Sequence, residues 1–536
     1  MLFPSELFAG EGLEVNDAEC GRYAAMSYAQ VYGAATLGIN GALVTVEVDI
    51  ANGLPGLDIV GLPDAAVKES KERVRAAIKN AGLEFPVRRV TVNLAPADMR
   101  KDGSGLDLPI ALGILAASGQ VDPEVCRRGV FVGELSLEGR LRGIAGILPM
   151  AMDIAAQGLG PVFVAPDNAQ EALFAGQLTV FAPATLEEAV AHLRGERRLA
   201  GAARVERPPA ESGPGDDMAE VQGQAAAKRA LEIAAAGGHN VLMVGPPGSG
   251  KTMLARRLPS ILPAFTEVEA LEVTKIYSIA GLLRTGGGLA TRRPFRSPHH
   301  TVSDAGMVGG GRVPRPGEAT LSHNGVLFLD ELPEFPRQVL EVLRQPMEDG
   351  EVTISRVNAT LSYPAKFMMV AAMNPCPCGY WGDSSRQCSC APGDIRRYLK
   401  KVSGPLLDRI DINIAVPRLE YGEIAGDAQA ESSAVIRDRV ERARAVQQRR
   451  LARYGLGANA QMGHRHVKAT CKLEEAAQKL LEQAFHRLSL SARGYDRVLK
   501  VARTIADLAG EELLTPLAVA EAIHLRNNVK DSLMGV

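Results

Sequence analysis

From Leu37 to Ile50 apolar and polar residues alternate, the period of a half-buried strand. Ala65 to Ala81 follows helical spacing instead. Arg89 to Leu94 reads as a short strand, Leu108 to Ala117 as a buried helix, and Gly129 to Leu137 as a strand again. Together they predict a mixed α/β domain over residues 26–198. Residues 199–217 are rich in Ala, Gly, Pro and charge, cannot bury a core, and read as a linker. Gln224 to Ala236 predicts a strong helix ended by Gly237-Gly238, and Asn240 to Val244 a short apolar strand. Strand and helix patterns then alternate through residues 218–420, as a parallel α/β sheet requires. Residues 421–536 are helical in pattern throughout. Residues 1–25 lack clear periodicity, and the expectation is a disordered stretch or a start codon placed too early.

Composition sharpens this picture only locally. The chain has 536 residues, enough for about three domains. It carries 60 basic and 62 acidic side chains, which excludes a uniformly basic nucleic-acid coat but not a basic patch. Residues 431–536 hold 18 Lys/Arg against 12 Asp/Glu, so positive charge gathers at that end. No apolar run reaches the ~18–20 residues of a spanning helix, and no secretory signal pattern opens the chain. Four of the seven cysteines fall within fifteen residues, which suggests a local site in a reducing compartment. The expectation is a cytoplasmic protein without a membrane partner.

The chemistry concentrates in the middle of the chain. Gly245-Pro246-Pro247-Gly248-Ser249-Gly250-Lys251-Thr252 fits the phosphate-loop pattern, with a strand before it and a helix after it. Such glycines let backbone N–H groups turn toward phosphates, and the helix N-terminus adds its positive end. Lys251 would reach the β/γ-phosphates, and the Thr252 hydroxyl would ligate Mg²⁺. Val326 to Glu331 is an apolar strand ending in two carboxylates. Asp330 would hold the Mg²⁺ water shell, and Glu331 would act as general base on the attacking water. Phe367 to Asn374 is another apolar strand, and Asn374 would position that water or simply form a turn. Arg409, in Pro405-Leu406-Leu407-Asp408-Arg409-Ile410-Asp411, reads either as a structural ion pair or as a finger that meets the γ-phosphate held by a neighbouring subunit. The finger is the favoured reading, and it requires a ring.

Assembled, these residues resemble the magnesium-chelatase-like AAA+ ATPase family. The likeness also covers Gly53-Leu54-Pro55-Gly56 through Gly61-Leu62-Pro63, Val92-Asn93-Leu94-Ala95-Pro96-Ala97, Phe295-Arg296-Ser297-Pro298-His299-His300 and Ser403 to Arg409. The resemblance implies a homo-hexameric ATPase using ATP and Mg²⁺, a DNA helicase driving branch migration of recombination intermediates in natural transformation. Its implied partners are single-stranded or branched DNA and recombinase-associated proteins. It also implies that Arg493, in Ser491-Ala492-Arg493-Gly494, is the second sensor arginine of a helical lid, with Arg497 as fallback. The rivals are a protein-remodelling motor and a magnesium-chelatase motor without a DNA role. Chelatase motor subunits are expected to resemble only the second half of this chain.

The first domain resembles the Lon-protease fold, an α+β fold of the S5-domain-2 kind. In the register set by Lys101-Asp102-Gly103 the nucleophile position holds Gly105, and in that set by Gly133-Glu134 the lysine position holds Leu148. Without a proton-accepting lysine a serine is a poor nucleophile, so the domain is expected to be non-proteolytic.

Two further patterns remain. Cys376, Cys378, Cys388 and Cys390 form a C-x-C…C-x-C cluster suited to Zn²⁺, with free thiols or a labile disulfide as the alternative. Arg284, Arg292, Arg293, Arg296, Arg312 and Arg315 stand against one acid, Asp304, in a segment that also holds the glycine triplets 286–288 and 309–311. They read as a flexible basic loop for DNA phosphates or as a solvated surface. The basic run from Arg437 to Arg453 reads first as a solvated helix face or subunit contact. A turn-containing hairpin from Glu348-Asp349-Gly350 to Tyr363 is a further candidate to enter a ring pore.

Overall fold

The computed structural model describes residues 27–101, 103–205, 217–283, 288–311, 314–356, 359–383, 386–419 and 430–527. The stretch 1–25 and the hairpin tip at 357–358 therefore lie outside the described residues. The chain divides into two compact units, Met1–Glu206 with Gly281–Gly287 and Arg207–Ala280 with Gly288–Val536.

The first unit is a seven-stranded mixed sheet. Its long hairpin pairs Tyr28–Leu37 with Asn40–Ala51, turning at Gly38. The alternation expected from Leu37 onward is thus the second strand of a hairpin whose first strand begins earlier. The stretch 129–137 is likewise two short strands, Val130–Val132 and Glu134–Leu135, broken at Gly133. The helix Asp107–Ala117 is buried at every position, so it has no polar face to reveal helical period. Its one charge, Asp107, is held at the helix start. Asp107 accepts hydrogen bonds from the Ser70 hydroxyl, from Arg73 Nε at 2.8 Å and from the Leu135 amide at 3.2 Å. The helix Ala65–Asn80, begun by an Asp64 cap, supplies Ser70 and Arg73. Residues 199–205, expected as linker, are tied to this unit. The Ala202 amide donates to Val180 O at 2.7 Å, and Gln170 bonds both Ala203 and Val205.

The second unit is built on a five-stranded parallel sheet. Its strand order is Phe295–Arg296, Val326–Leu329, Met368–Met373, Val241–Val244, Ile412–Ala415. The middle three are buried at every residue, as expected for strands covered on both faces. The register pairs Val244 with Met373 and Leu329 with Ala371, so these strands end at one edge of the sheet. The helices Ser433–Leu451 and Ala492–Ala509 contribute Val440, Ala443, Val498 and Ala502 to the same core as Val241 and Ile412.

Asp107→Ala should destabilise the chain by about 3 kcal/mol, because it leaves the half-buried Arg73 cation without its partner. Urea unfolding checks this, and an unchanged midpoint would contradict the role given to Asp107.

Candidate nucleotide site

The phosphate loop follows the buried strand Val241–Val244 and feeds the helix Lys251–Ile261. Gly245 is required by packing, since a Cβ there would lie 2.1 Å from Val416 O. Lys251 Nζ folds back into the loop, donating to Gly245 O at 2.8 Å and Pro246 O at 2.9 Å. It also lies 3.4 Å from Asn374 Oδ1. Burial pushes the Lys251 ammonium below its ordinary range, with Asp330 opposing that shift. The Thr252 hydroxyl donates to Asp330 Oδ2 at 2.7 Å. Three separate segments therefore meet at one sheet edge, bringing Lys251, Thr252, Asp330 and Asn374 together.

Glu331 follows Asp330 in a left-handed conformation, φ 52°, which turns the chain into the short helix Leu332–Glu334. Its side chain is exposed, and Oε2 lies 3.5 Å from His300 Nδ1. His300 comes from the segment just after Phe295–Arg296, the strand beside Val326–Leu329. The pair of histidines enters the sequence reading only through a family likeness. Their closeness to Glu331 depends on strand order.

Arg409 is not brought to this pocket. It is only 6% exposed, donates from Nη1 to Pro405 O at 2.7 Å and pairs through Nη2 with Glu348 Oε1 at 2.5 Å. Within one chain the structural ion pair, the alternative to the finger, is the geometry present. Hydrogen bonding from Arg409 holds the Glu348 carboxyl below its usual range, and the charge of Arg493 adds to that. Arg493 itself is exposed at the start of Ala492–Ala509. The fallback Arg497 is committed elsewhere, to Asp411 Oδ1 at 2.6 Å.

Asp411 anchors a buried cluster that sequence reasoning missed. Besides Arg497 it meets His239 Nδ1 at 3.4 Å, and His239 Nε2 lies 2.8 Å from the Thr504 hydroxyl. This ties the base of the phosphate-loop strand to the helix Ala492–Ala509. No local pattern marks His239 or Thr504, which are 265 positions apart.

The basic segment needs correction. Phe295–Arg296 is a strand of the main sheet, so the stretch is not one flexible loop. Arg296 makes two 2.7 Å bonds to Glu318, which makes it an internal fork. Arg293 donates to Pro263 O and Asn324 O at 2.7 Å each and pairs with Glu269 at 2.9 Å. Neither is available for DNA in this geometry. Arg292 and Arg315 are exposed, while Arg284 and Arg312 lie outside the described residues. On the long basic helix, Arg439 pairs with Glu232 and Glu431, and Arg450 pairs with Asp507. The expected hairpin is present as Glu351–Arg356 against Ala359–Pro364, and Gly350 ends the helix that precedes it.

The four clustered cysteines are not disulfide-bonded. Their sulfur atoms all lie within 4.8 Å of one another.

Three family models match this chain. One described as magnesium chelatase, subunit ChlI, matches residues 217–424, and its C-terminal counterpart matches 430–526. A third, described as subunit ChlI of Mg-chelatase, matches 46–168. Competence protein ComM of Haemophilus influenzae is 46% identical over 513 residues, covering 94% of this chain and 98% of that protein. The chain belongs to the ComM/YifB group of magnesium-chelatase-like proteins. Uncharacterized protein YifB of Salmonella typhimurium is 44% identical, covering 94% of this chain and 97% of its own length. Magnesium-chelatase 38 kDa subunit of Rhodobacter capsulatus is 26% identical over 174 residues, covering 29% of this chain and 49% of that subunit. Because a model described as a chelatase subunit reaches into the first unit, the first half of the chain no longer argues against a chelatase-type motor. Membership of this AAA+ family carries ATPase activity with ATP and Mg²⁺ as its general expectation. Among the described residues no helix is long and apolar enough to cross a membrane.

Burial pushes the Asp411 carboxyl up, but Arg497 and His239 outweigh it and hold it far below the usual range. A depressed folded value means that its stabilisation is complete above about pH 4 and is lost only as pH falls further. The urea-midpoint difference between the parent and Asp411→Asn should therefore shrink as pH falls below about 4. A difference that does not change in stronger acid would contradict this assignment.

Proposed function

We propose that this chain is a cytoplasmic ATP-driven ring motor. It assembles as a hexamer and acts as an AAA+ DNA helicase that moves branch points of recombination intermediates during natural transformation. The observation that carries the ATPase part is the convergence of Lys251, Thr252, Asp330 and Asn374 at one sheet edge. The ComM likeness supports the DNA part.

The site residues act as follows. Lys251, which now holds loop carbonyls, turns to β/γ-phosphate oxygens, while the amides of residues 245–250 cradle them. Thr252 and Asp330 offer the hard oxygen donors that suit Mg²⁺, which when bound neutralises phosphate charge. Glu331 accepts the proton of the attacking water, and Asn374 orients that water. Arg493 meets the nucleotide from the lid. Arg409 exchanges Glu348 for the γ-phosphate held by an adjacent subunit, so assembly and hydrolysis are coupled.

DNA phosphates are met by Arg292 and Arg315, both exposed, and by the hairpin 351–364. The first unit serves as a Lon-like, non-proteolytic scaffold. Position 105 is a glycine and Leu148 is a fully buried apolar side chain, so neither position supplies a nucleophile or base. The cysteine cluster takes Zn²⁺. A tetrahedral centre with Zn–S bonds of ~2.3 Å has sulfur–sulfur edges of about 3.8 Å. The observed separations among Cys376, Cys378 and Cys388 are 3.4, 3.5 and 3.7 Å. A remodelling or chelatase-type motor would share the ATP site, and the family models described as chelatase subunits keep it as the second reading.

Single-stranded or forked DNA should raise ATP turnover severalfold, with the stimulation fading as salt rises. Turnover indifferent to DNA at low salt would favour the second reading. Glu331→Gln should retain nucleotide binding and lower turnover by 10²-fold or more, on the order of what general-base catalysis supplies. Normal turnover in that variant would show that another group takes the proton.

A further inference from the structure

The cysteine loop does more than follow the nucleotide pocket in sequence. Its first turn packs against the phosphate loop. Cys376 begins two residues after Asn374, whose side chain lies 3.4 Å from Lys251 Nζ. The chain then turns back, with the Gly379 amide donating to Cys376 O at 3.0 Å. At this turn Gly379 takes a left-handed conformation, φ +86°, and presses on the phosphate loop. A Cβ added there would lie 2.6 Å from Pro247 Cδ, 2.7 Å from Pro247 Cγ and 3.8 Å from Asn374 Cγ. The far end of the loop returns through Cys388 and Cys390 into the helix Pro392–Leu399. The Tyr398 hydroxyl on that helix lies close to the Asn374 backbone amide. Both ends of the cysteine loop thus bear on Asn374, and its turn bears on Pro247.

We infer that a zinc ion held by Cys376, Cys378, Cys388 and Cys390 controls nucleotide affinity by fixing this turn against the phosphate loop. The inference rests on the nucleotide and zinc assignments made above. The two halves of the loop meet at the four sulfur atoms, at the 3.4 Å contact from the Cys378 amide to Cys390 Sγ, and where Arg386 lies 4.4 Å over the Tyr380 ring. Four metal–sulfur bonds would remove the freedom of this loop before nucleotide arrives. A pocket ordered in advance binds more tightly, because less ordering is left for the ligand to impose. A four-thiolate zinc centre carries two negative charges, which by themselves weaken attraction for a triphosphate. Surface charge of this kind is screened in solution, whereas the close packing of Gly379 on the Pro247 ring transmits a shift of the loop directly. Coupling between two ligand sites is commonly 5–150-fold, and it is reciprocal. Zinc loss should weaken nucleotide binding about tenfold, and saturating nucleotide should tighten zinc by the same factor.

The test uses the full chain, elemental analysis for zinc and titration with a fluorescent ATP analogue. The parent should carry one zinc ion per chain. Its removal by a chelator should weaken analogue binding about tenfold, and added zinc should restore it. Cys378→Ser with Cys390→Ser should lose zinc and show the same weakening. Far-UV circular dichroism identifies any preparation that has unfolded, and restoration by zinc distinguishes a folded apo chain from a damaged one. Gly379→Ala provides the second arm, since it keeps all four thiols but displaces Pro247. It should retain zinc and still bind the analogue more weakly. Equal analogue affinity with and without zinc overturns the coupling alone. A parent chain that binds analogue but holds no zinc overturns the zinc assignment and the coupling with it. A parent that holds zinc but binds no analogue overturns the nucleotide reading.

Discussion

The hydrogen bond from Thr252 to Asp330 depends on parallel pairing of three buried strands. Each strand is too short to position anything alone. Side by side, with Val244 level with Met373, they deliver three polar chain segments to one edge. Apolar burial on both faces makes that edge rigid. The polar residues sit just past the last buried residue of each strand, where the chain leaves the sheet. The same layout explains why the phosphate loop needs Gly245, which passes against Val416 just beyond the neighbouring strand.

Around this edge the unit distributes charge in two ways. Asp411, His239, Arg497 and Thr504 form a buried polar tie between the sheet and the helix carrying Arg493. Glu348 instead lies half exposed, paired with Arg409 and within the field of Arg493. The first cluster suits a fixed joint, because separating it would strand buried charge. The second suits exchange, because an exposed carboxylate can be replaced by another anion at modest cost.

Much of the candidate site was legible in the sequence because it is local. The phosphate loop, the strand ending in Asp330-Glu331 and the apolar run before Asn374 each carry their own signal within eight residues. The basic segment misled for the opposite reason. Arg293 and Arg296 look available in a list of cations, but their partners Glu269 and Glu318 are 24 and 22 positions away. The hairpin at 28–51 was half seen, since alternation continues through its tight turn and only pairing distinguishes one strand from two. Residues 199–205 look like linker by composition, yet backbone hydrogen bonds hold them to the first unit.

Sequence by itself determined the alternation of strand and helix, the phosphate-binding loop, the two carboxylates and the grouping of four thiols. These follow from short-range spacing and from the chemistry of particular side chains. Tertiary structure alone decided that Asn374 reaches Lys251, that His300 meets Glu331, that Arg409 is held by Glu348, and that Gly379 rests on Pro247. Each of those contacts joins segments whose separation along the chain carries no periodic signal. Strand order and register bring them together, and both are set by the summed burial of the whole sheet rather than by any local pattern.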